Sequence, residues 1–350
     1  MKKFAAMLLA AAMVFSLAAC GAAETTTEAT PSAAASTEGT TDSTWNVTRP
    51  EGLPADFPSK EITYIYPFGV GSMQDVYFRI LAEKIKEKEG WSKSIVVKQE
   101  EGASGDIGWS KFIKSDPDGY TLGFAPTAQQ ITAIAFGKDY TAENMSYIFN
   151  MMSDPGAVGV SSKSEYATMQ DLINAAKDAP GTITMGVTSV TGSEGLAVIQ
   201  LENASGAKFN VVPYNSETEV LTAVAGGHCD AYCLNIGDLT TFLDEGSITV
   251  LAVGSEERSD LSPETPTYKE CGYDVIQVNS RAIAAPAGTD PAIVQYLSDC
   301  FMAAAADPDV VEQCKDIPIP YDTKNSTDTS AMFKGYYETY KALWDTEPWA

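Results

Sequence analysis

Glu61-Ile62-Thr63-Tyr64-Ile65-Tyr66-Pro67-Phe68-Gly69-Val70-Gly71-Ser72, with Gln74 to Lys88 after it, reads as a strand, a glycine loop and a helix in immediate succession. The first part is rich in β-branched and aromatic residues, and the last carries Val76, Ile80, Leu81 and Ile85 at helical spacing. Ser94 to Lys98 then predicts a strand, Gly105 to Lys114 a helix, and Thr121 to Ala125 a strand running into Pro126-Thr127. This alternation implies parallel βαβ units. It returns mid-chain, with strand Thr182 to Val187, a Ser/Thr/Gly loop from Thr188, and helix Gly195 to Ser205. Strands at Phe209 to Val212, Asp230 to Leu234 and Thr249 to Val253 follow, separated by helices Glu217 to Ala225 and Leu239 to Asp244, with a helical tail from Pro291. Two α/β sheets, each with a glycine-bearing loop at the carboxyl end of its first strand, predict two lobes facing a cleft.

Upstream, Lys2 and Lys3, the apolar run Phe4 to Leu17, and Leu17-Ala18-Ala19-Cys20 form a secretory signal too short to span a bilayer. The small residues before Cys20 resemble a bacterial lipobox. Residues 1–19 are thus expected to be a lipoprotein signal peptide and Cys20 the lipidated first residue of the mature protein. More than one acyl chain there would hold the protein firmly at a membrane surface. Gly21 to Ser43 has no aromatic or large aliphatic residue and cannot offset its conformational entropy by burial, so 20–56 reads as a disordered linker.

The formal charge of -24 carries no basic patch, which excludes nucleic acid as a partner. It also means that an anionic ligand must be recognised by local dipoles against an unfavourable field. Apart from Cys20 the cysteines are Cys229, Cys233, Cys271, Cys300 and Cys314, an odd set; Cys300 with Cys314 is the candidate bridge. His228, the only histidine, with Cys229 and Cys233 makes too thin a ligand set for a metal, and no cofactor motif is present. A Ser-His-Asp hydrolase would need His228 and a Gly-x-Ser-x-Gly elbow, of which Gly192-Ser193-Glu194-Gly195 falls one residue short. An enzyme is not expected.

The loops suit anions. Gly69, Gly71 and Ser72 precede a helix start, where backbone N–H groups lack intrahelical partners and the dipole is positive; Thr188, Ser189, Thr191, Gly192 and Ser193 repeat this with more hydroxyls. Phe57-Pro58-Ser59-Lys60-Glu61-Ile62, Tyr66-Pro67-Phe68 with Gly71-Ser72 and Asp75, Gly102 to Gly105 with Ile107-Gly108, and Pro117-Asp118-Gly119-Tyr120-Thr121-Leu122 resemble the tripartite tricarboxylate transporter receptors, or Bug-type solute-binding proteins. Val212-Pro213-Tyr214, Gly226-Gly227 with Asp230, Leu251-Ala252-Val253 and Ala285-Pro286-Ala287-Gly288-Thr289 continue the likeness.

The resemblance implies a two-lobed, type II periplasmic-binding-protein fold with a hinge and an interlobe cleft. Lobe 1 would span 57–155 with 281–350, lobe 2 156–280, and 281–350 would return to lobe 1 as C-terminal helices. It also implies capture of a small carboxylate and delivery to membrane permease subunits, outside the cytoplasmic membrane. The implied ligand contacts are Phe68, Gly69, Val70, Gly71, Ser72 and Asp75; Pro126, Thr127 and Ala128; Thr188, Ser189, Thr191, Gly192 and Ser193; and Asp230. Asp75 and Asp230, being anionic, would orient loop amides, waters or a ligand amine. Where the family commonly has aromatic residues before the Ala285-Pro286 motif, this chain has Ser280 and Arg281, and Arg281 is a candidate to pair with a ligand carboxylate. A carboxylate-sensing lipoprotein that docks a signalling partner would share these features.

Overall fold

The computed structural model describes residues 45–349 apart from Pro318 and Glu347. The signal segment 1–19, Cys20 and the linker up to residue 44 lie outside the described residues, while 45–56, expected to be disordered as well, packs on the first core through Trp45, Val47 and Leu53. The first half-sheet comprises β1 (Ile62–Tyr66), α1 (Met73–Glu89), β2 (Ile95–Gln99), α2 (Asp106–Phe112), β3 (Thr121–Pro126) and α3 (Thr127–Phe136). β1 pairs in parallel with both β2 and β3, as the βαβ pattern requires. Next comes β4 (Met145–Ser161), followed by α4 (Met169–Asp178), β5 (Thr184–Val187), α5 (Ser193–Ser205), β6 (Asn210–Pro213), α6 (Glu217–Ala225), β7 (Ala231–Asn235), α7 (Thr240–Asp244) and β8 (Ile248–Val253). β5 pairs in parallel with β6 and β7. The chain returns through β9 (Val278–Pro286), α8 (Pro291–Ala305), α9 (Pro308–Cys314), β10 (Tyr321–Lys324) and α10 (Ser326–Thr346).

The two parallel sets are joined into one path, β2-β1-β3-β9-β4-β7-β5-β6, with β8 and β10 also pairing with β4. The joint is the 17-residue β4, buried along almost all its length. Its sequence gave no strand expectation because Asp154-Pro155-Gly156 reads as a turn. In the fold β4 pairs antiparallel with β9 as far as Pro155↔Val278 and with β7 from Gly156↔Asn235. Pro155 thus stands where β4 changes partners, a place where a missing N–H disrupts little of a ladder. The Gly156 N–H is held by the Gln277 carbonyl at 2.7 Å.

Each parallel set has its own apolar core. Tyr64, Phe78, Phe149 and Phe301 are fully buried together on the first side, and Leu172, Val187 and Leu201 on the second. At roughly 1.5 to 3 kcal/mol per fully buried large apolar side chain, these clusters dominate the stability of each half. A smaller cluster joins the halves: Ile131 and Ile134 of α3 and Tyr340 of α10 enclose Leu196 of α5. The candidate Cys300–Cys314 bridge is corrected, since both are free thiols buried in the first core, where desolvation raises their pKa and keeps them neutral.

Candidate functional site

In parallel sets all strands present their carboxyl ends on one side, and here the two sides converge. β9 runs antiparallel to β3 with Pro126 opposite Arg281, and β4 runs antiparallel to β9 with Met152 opposite Arg281 and Asp154 opposite Asn279. β4 also runs antiparallel to β7, so Asp154, two residues before Gly156↔Asn235, stands at the carboxyl end of β7. The loops after β1, β3, β5, β6 and β7 therefore face a floor made of β4 and β9, in the manner of ligand sites outside the carboxyl ends of open α/β sheets.

On the first wall, Phe68, Gly69, Val70 and Gly71 form an exposed loop. Ser72 is the N-cap of α1, with φ -67° and ψ 154°. Its hydroxyl accepts from the Asp75 N–H at 3.4 Å and bonds the Tyr66 hydroxyl at 2.6 Å. Gly71 has φ +93°, a backbone that side-chain-bearing residues rarely adopt. Buried Asp75 accepts the Gly71 N–H at 3.0 Å and the Arg79 Nε–H at 3.0 Å, which fixes the loop and neutralises the carboxylate. Thr127, also buried, is committed internally: its Oγ1 accepts from the Ser280 N–H at 3.0 Å and ties α3 to β9. Pro126 is buried behind it and Ala128 is partly exposed. Gln129, fully buried in the first turn of α3, has neither Oε1 nor Nε2 hydrogen-bonded among the described residues.

The second wall holds the loop of Thr188, Ser189, Thr191, Gly192 and Ser193, all partly exposed. Sequence reasoning missed the group that shapes it. Glu194, 5% exposed, turns back from the first turn of α5. Its carboxylate accepts from the Thr188 N–H at 2.5 Å, the Thr188 hydroxyl at 2.8 Å and the Ser189 N–H at 3.3 Å. These donors, expected to meet the ligand, are thus already occupied. Burial, which outweighs those hydrogen bonds, pushes the Glu194 carboxyl up to about 7, and the Glu217 charge adds to it. Gly195 allows this closure, because a Cβ there would lie 2.1 Å from the Val190 carbonyl oxygen. The available signal was position: Glu194, like Asp75, is an acid in the first turn of a helix that follows a glycine loop.

On the floor, Arg281 is 14% exposed and its Nη1 has no hydrogen-bond partner among the described residues. Asp154 Oδ2 stands 3.8 Å from it, beyond hydrogen-bonding distance, while Asp154 Oδ1 accepts the Gly237 N–H at 3.1 Å. Burial raises the Asp154 pKa, against the lowering effects of Arg281 and of that N–H. Asn235 Nδ2 donates to Asp238 Oδ2 at 3.3 Å. Asp238 is pushed up to about 6, first by desolvation and then by the charges of Asp154 and Glu217. The site thus gathers a buried guanidinium, two carboxylates, and helix starts from both halves. Nothing in the sequence marked Asp154, Asn235 or Asp238, because pairing of β4 with β7 and β9 brings them together.

Asp230 does not join them. It lies exposed just before β7, where Asp230 Oδ2 accepts from the Thr184 N–H at 2.8 Å and from the Thr184 hydroxyl at 2.6 Å. Thr184 opens β5 and Thr188 follows its end, so about 13 Å of strand separates Asp230 from the loop. Its place in the ligand set is corrected: it caps the amino ends of β5 and β7. A recess of about 1140 Å³ lies elsewhere, lined by Ser153 and Val278, which alternate along their strands with Asp154 and Asn279, and by Ser255 to Leu261 and α10 residues. Side-chain alternation puts this recess on the opposite face of β4 and β9 from Arg281.

The family model described as "Tripartite tricarboxylate transporter family receptor" (TctC) matches residues 77–344. The chain is 29% identical over 258 residues, 71% of its length and 75% of the relative's, to the UPF0065 protein in the gbd 5' region of Cupriavidus necator. Its fold is similar to the crystal structure of a TctC solute binding protein from Polaromonas, with a TM-score of 0.76 and 26% identity, covering 83% of this chain and 99% of the other. At 22% identity and a TM-score of 0.64 it shares the fold of R. palustris Rpa4515, solved with adipate, covering 83% and 98% of the two chains. The fold is likewise shared with MatC from Rhodopseudomonas palustris with bound malate, at 17% identity, a TM-score of 0.62 and coverage of 82% and 99%.

Proposed function

Because this chain belongs to the tripartite tricarboxylate transporter receptor family, whose members are extracytoplasmic solute-binding receptors and not enzymes, we propose that it captures a small organic carboxylate and delivers it to that transporter's permease. The observation that carries the ligand class is Arg281, a guanidinium buried at the meeting point of the two strand sets with Nη1 unbonded among the described residues. A buried donor without an acceptor costs roughly 1 to 3 kcal/mol, more when charged, and a carboxylate entering the cleft would remove that cost. The adipate and malate bound by two proteins of the same fold support this class.

Lobe 1 would be 57–155 with 281–350 and lobe 2 156–280, turning on β4 near Pro155 and β9 near Arg281. The change of partners along β4 supports this division. Closure would bring the loops Phe68 to Ser72, Pro126 to Ala128 and Thr188 to Ser193 onto the ligand, with ordered water completing the contacts. Cys20, lipidated after removal of 1–19, would tether the receptor to the outer face of the membrane. No helix among the described residues is long and apolar enough to cross one.

Titration calorimetry with succinate, malate, adipate and citrate tests the reading. Arg281→Ala is expected to lower affinity for the carboxylate that binds by about 100-fold, the equivalent of losing roughly 3 kcal/mol of charge-assisted contact. Unchanged affinity in a folded Arg281→Ala variant would reject Arg281 as the anchor, and no binding to any carboxylate would reject the class.

A further inference from the structure

The donors with which the second wall would receive an anion are spent on Glu194, and unevenly so. Its Oε2 takes the Thr188 N–H at 2.5 Å and the Ser189 N–H at 3.3 Å. Its Oε1 has the Thr188 hydroxyl alone, at 2.9 Å, a group that also lies 2.8 Å from Oε2. A proton on Oε1 therefore leaves both N–H bonds in place. Only the hydroxyl has to turn, since it can accept as well as donate. Oε1–H then donates to Thr188 Oγ1, and the O–H of this partly exposed side chain is released towards the cleft.

The surroundings do not favour a charge on Glu194. No described cation forms an ion pair with it, and the titratable groups facing it from neighbouring elements are like-charged or neutral. They are Glu217 on α6 and Cys233 on β7, whose Sγ lies 3.7 Å from the Glu194 carbonyl oxygen, with Tyr268 behind Cys233. Where α3 and α10 pack on α5 at Leu196, they are Tyr336, Tyr337 and Tyr340, all kept neutral by burial. On the floor, Arg281 acts on Asp154 and Asp238, and Glu217 raises Asp238 as it raises Glu194. An anion brought beside this carboxylate is repelled by it, and a proton removes the repulsion.

We propose that capture of the anionic ligand takes up one proton at Glu194 Oε1, which turns the Thr188 hydroxyl from Glu194 to the ligand. This rests on the carboxylate reading above and adds a proton to it. The proton comes from solvent, and no other covalent bond changes. Glu194 is thus a positioning residue, acting on the ligand through Thr188. Its carboxyl already lies at about 7, and a bound anion raises it further. Affinity therefore falls as pH rises above that value, where binding must draw a proton from an increasingly dilute supply.

Titration calorimetry on the full-length mature protein with succinate, malate, adipate and citrate, at pH 7.5 and at pH 9, tests this. Whichever of them binds is expected to do so about fivefold more tightly at the lower pH, and heats in buffers of different ionisation enthalpy should show uptake of about half a proton or more at pH 8. Glu194→Gln has an amide N–H that donates to Thr188 Oγ1 at every pH. It is expected to bind at pH 9 about as tightly as wild type does at pH 7.5, with no pH dependence. Weaker binding by that variant with the pH dependence unchanged would show a merely structural Glu194 and overturn the proposal. Wild-type affinity that does not move with pH, with no proton uptake, would overturn it while leaving the carboxylate reading intact. A pH dependence that survives Glu194→Gln and disappears in Asp238→Asn would put the proton on Asp238 and overturn the assignment to Glu194. Failure of all four carboxylates to bind would overturn both readings together. Unfolding midpoints of the variants check their folding, and the wild-type proton uptake needs no variant at all.

Discussion

The loop after β1 and the loop after β5 are each held by an acid from the first turn of the next helix, yet the two acids keep different company. Asp75 accepts one loop amide and is paired with Arg79 at 3.0 Å. Glu194 accepts two amides and a hydroxyl and has no ion-pair partner among the described residues. The first carboxylate is paired with a cation, whereas the second is a desolvated acid raised to about 7. The same device therefore rests on an ion pair on one wall and on a desolvated acid on the other.

The largest expected effect separates the two loops by packing. Gly195→Ala places a Cβ 2.1 Å from the Val190 carbonyl oxygen, and a loss of about 3 kcal/mol is expected from so tight a backbone contact. Gly71→Ala meets nothing within 4 Å and carries only the strain of φ +93°, about 1 kcal/mol. Urea unfolding of the two variants checks this, and equal losses would mean that the second loop is free to move away from α5.

Next in size is a pH effect. Because the Glu194 pKa is raised in the folded state, the native protein binds the proton more tightly than the unfolded chain. Its contribution to stability is therefore greatest at or below the unfolded value near 4.5 and falls as pH rises towards about 7. Relative to Glu194→Gln, wild type should lose about 3 kcal/mol between pH 4.5 and 8, read from denaturant midpoints. Parallel curves for the two proteins would show that the acid is not desolvated in solution.

The smallest effect tests the first clamp. Arg79 is 44% exposed, so solvent screens its pair, and Arg79→Ala should cost under about 1 kcal/mol. A larger loss would mean that the two clamps differ less than their surroundings suggest, with Asp75 depending on its cation.

Much of this was legible locally. The strand-loop-helix reading of 61–88 corresponds to β1 and α1 within one residue at each strand or helix end, apart from Pro67 and Phe68. Those two extend the apolar pattern but leave the sheet, since Pro67 has no N–H to contribute to a ladder. β4 was not legible, because Asp154-Pro155-Gly156 has the composition of a turn and only its change of partners makes it strand. Asp230 misled for the opposite reason, as its likeness to a site residue says nothing about which end of β7 it occupies. Thr127 and Thr188 are donors by composition, but Ser280 and Glu194 occupy them.

By itself the sequence determined the alternation of strands and helices, the two glycine loops and their helix starts, and the acidic character of the surface. These follow from side-chain periodicity and backbone freedom within a few residues of each other. Only the tertiary structure decided that both sets of strand ends converge on one floor, and that Arg281, Asp154, Asn235 and Asp238 meet there. These residues are far apart in the chain, and their meeting depends on the register of β4 against β7 and β9, which no local pattern encodes.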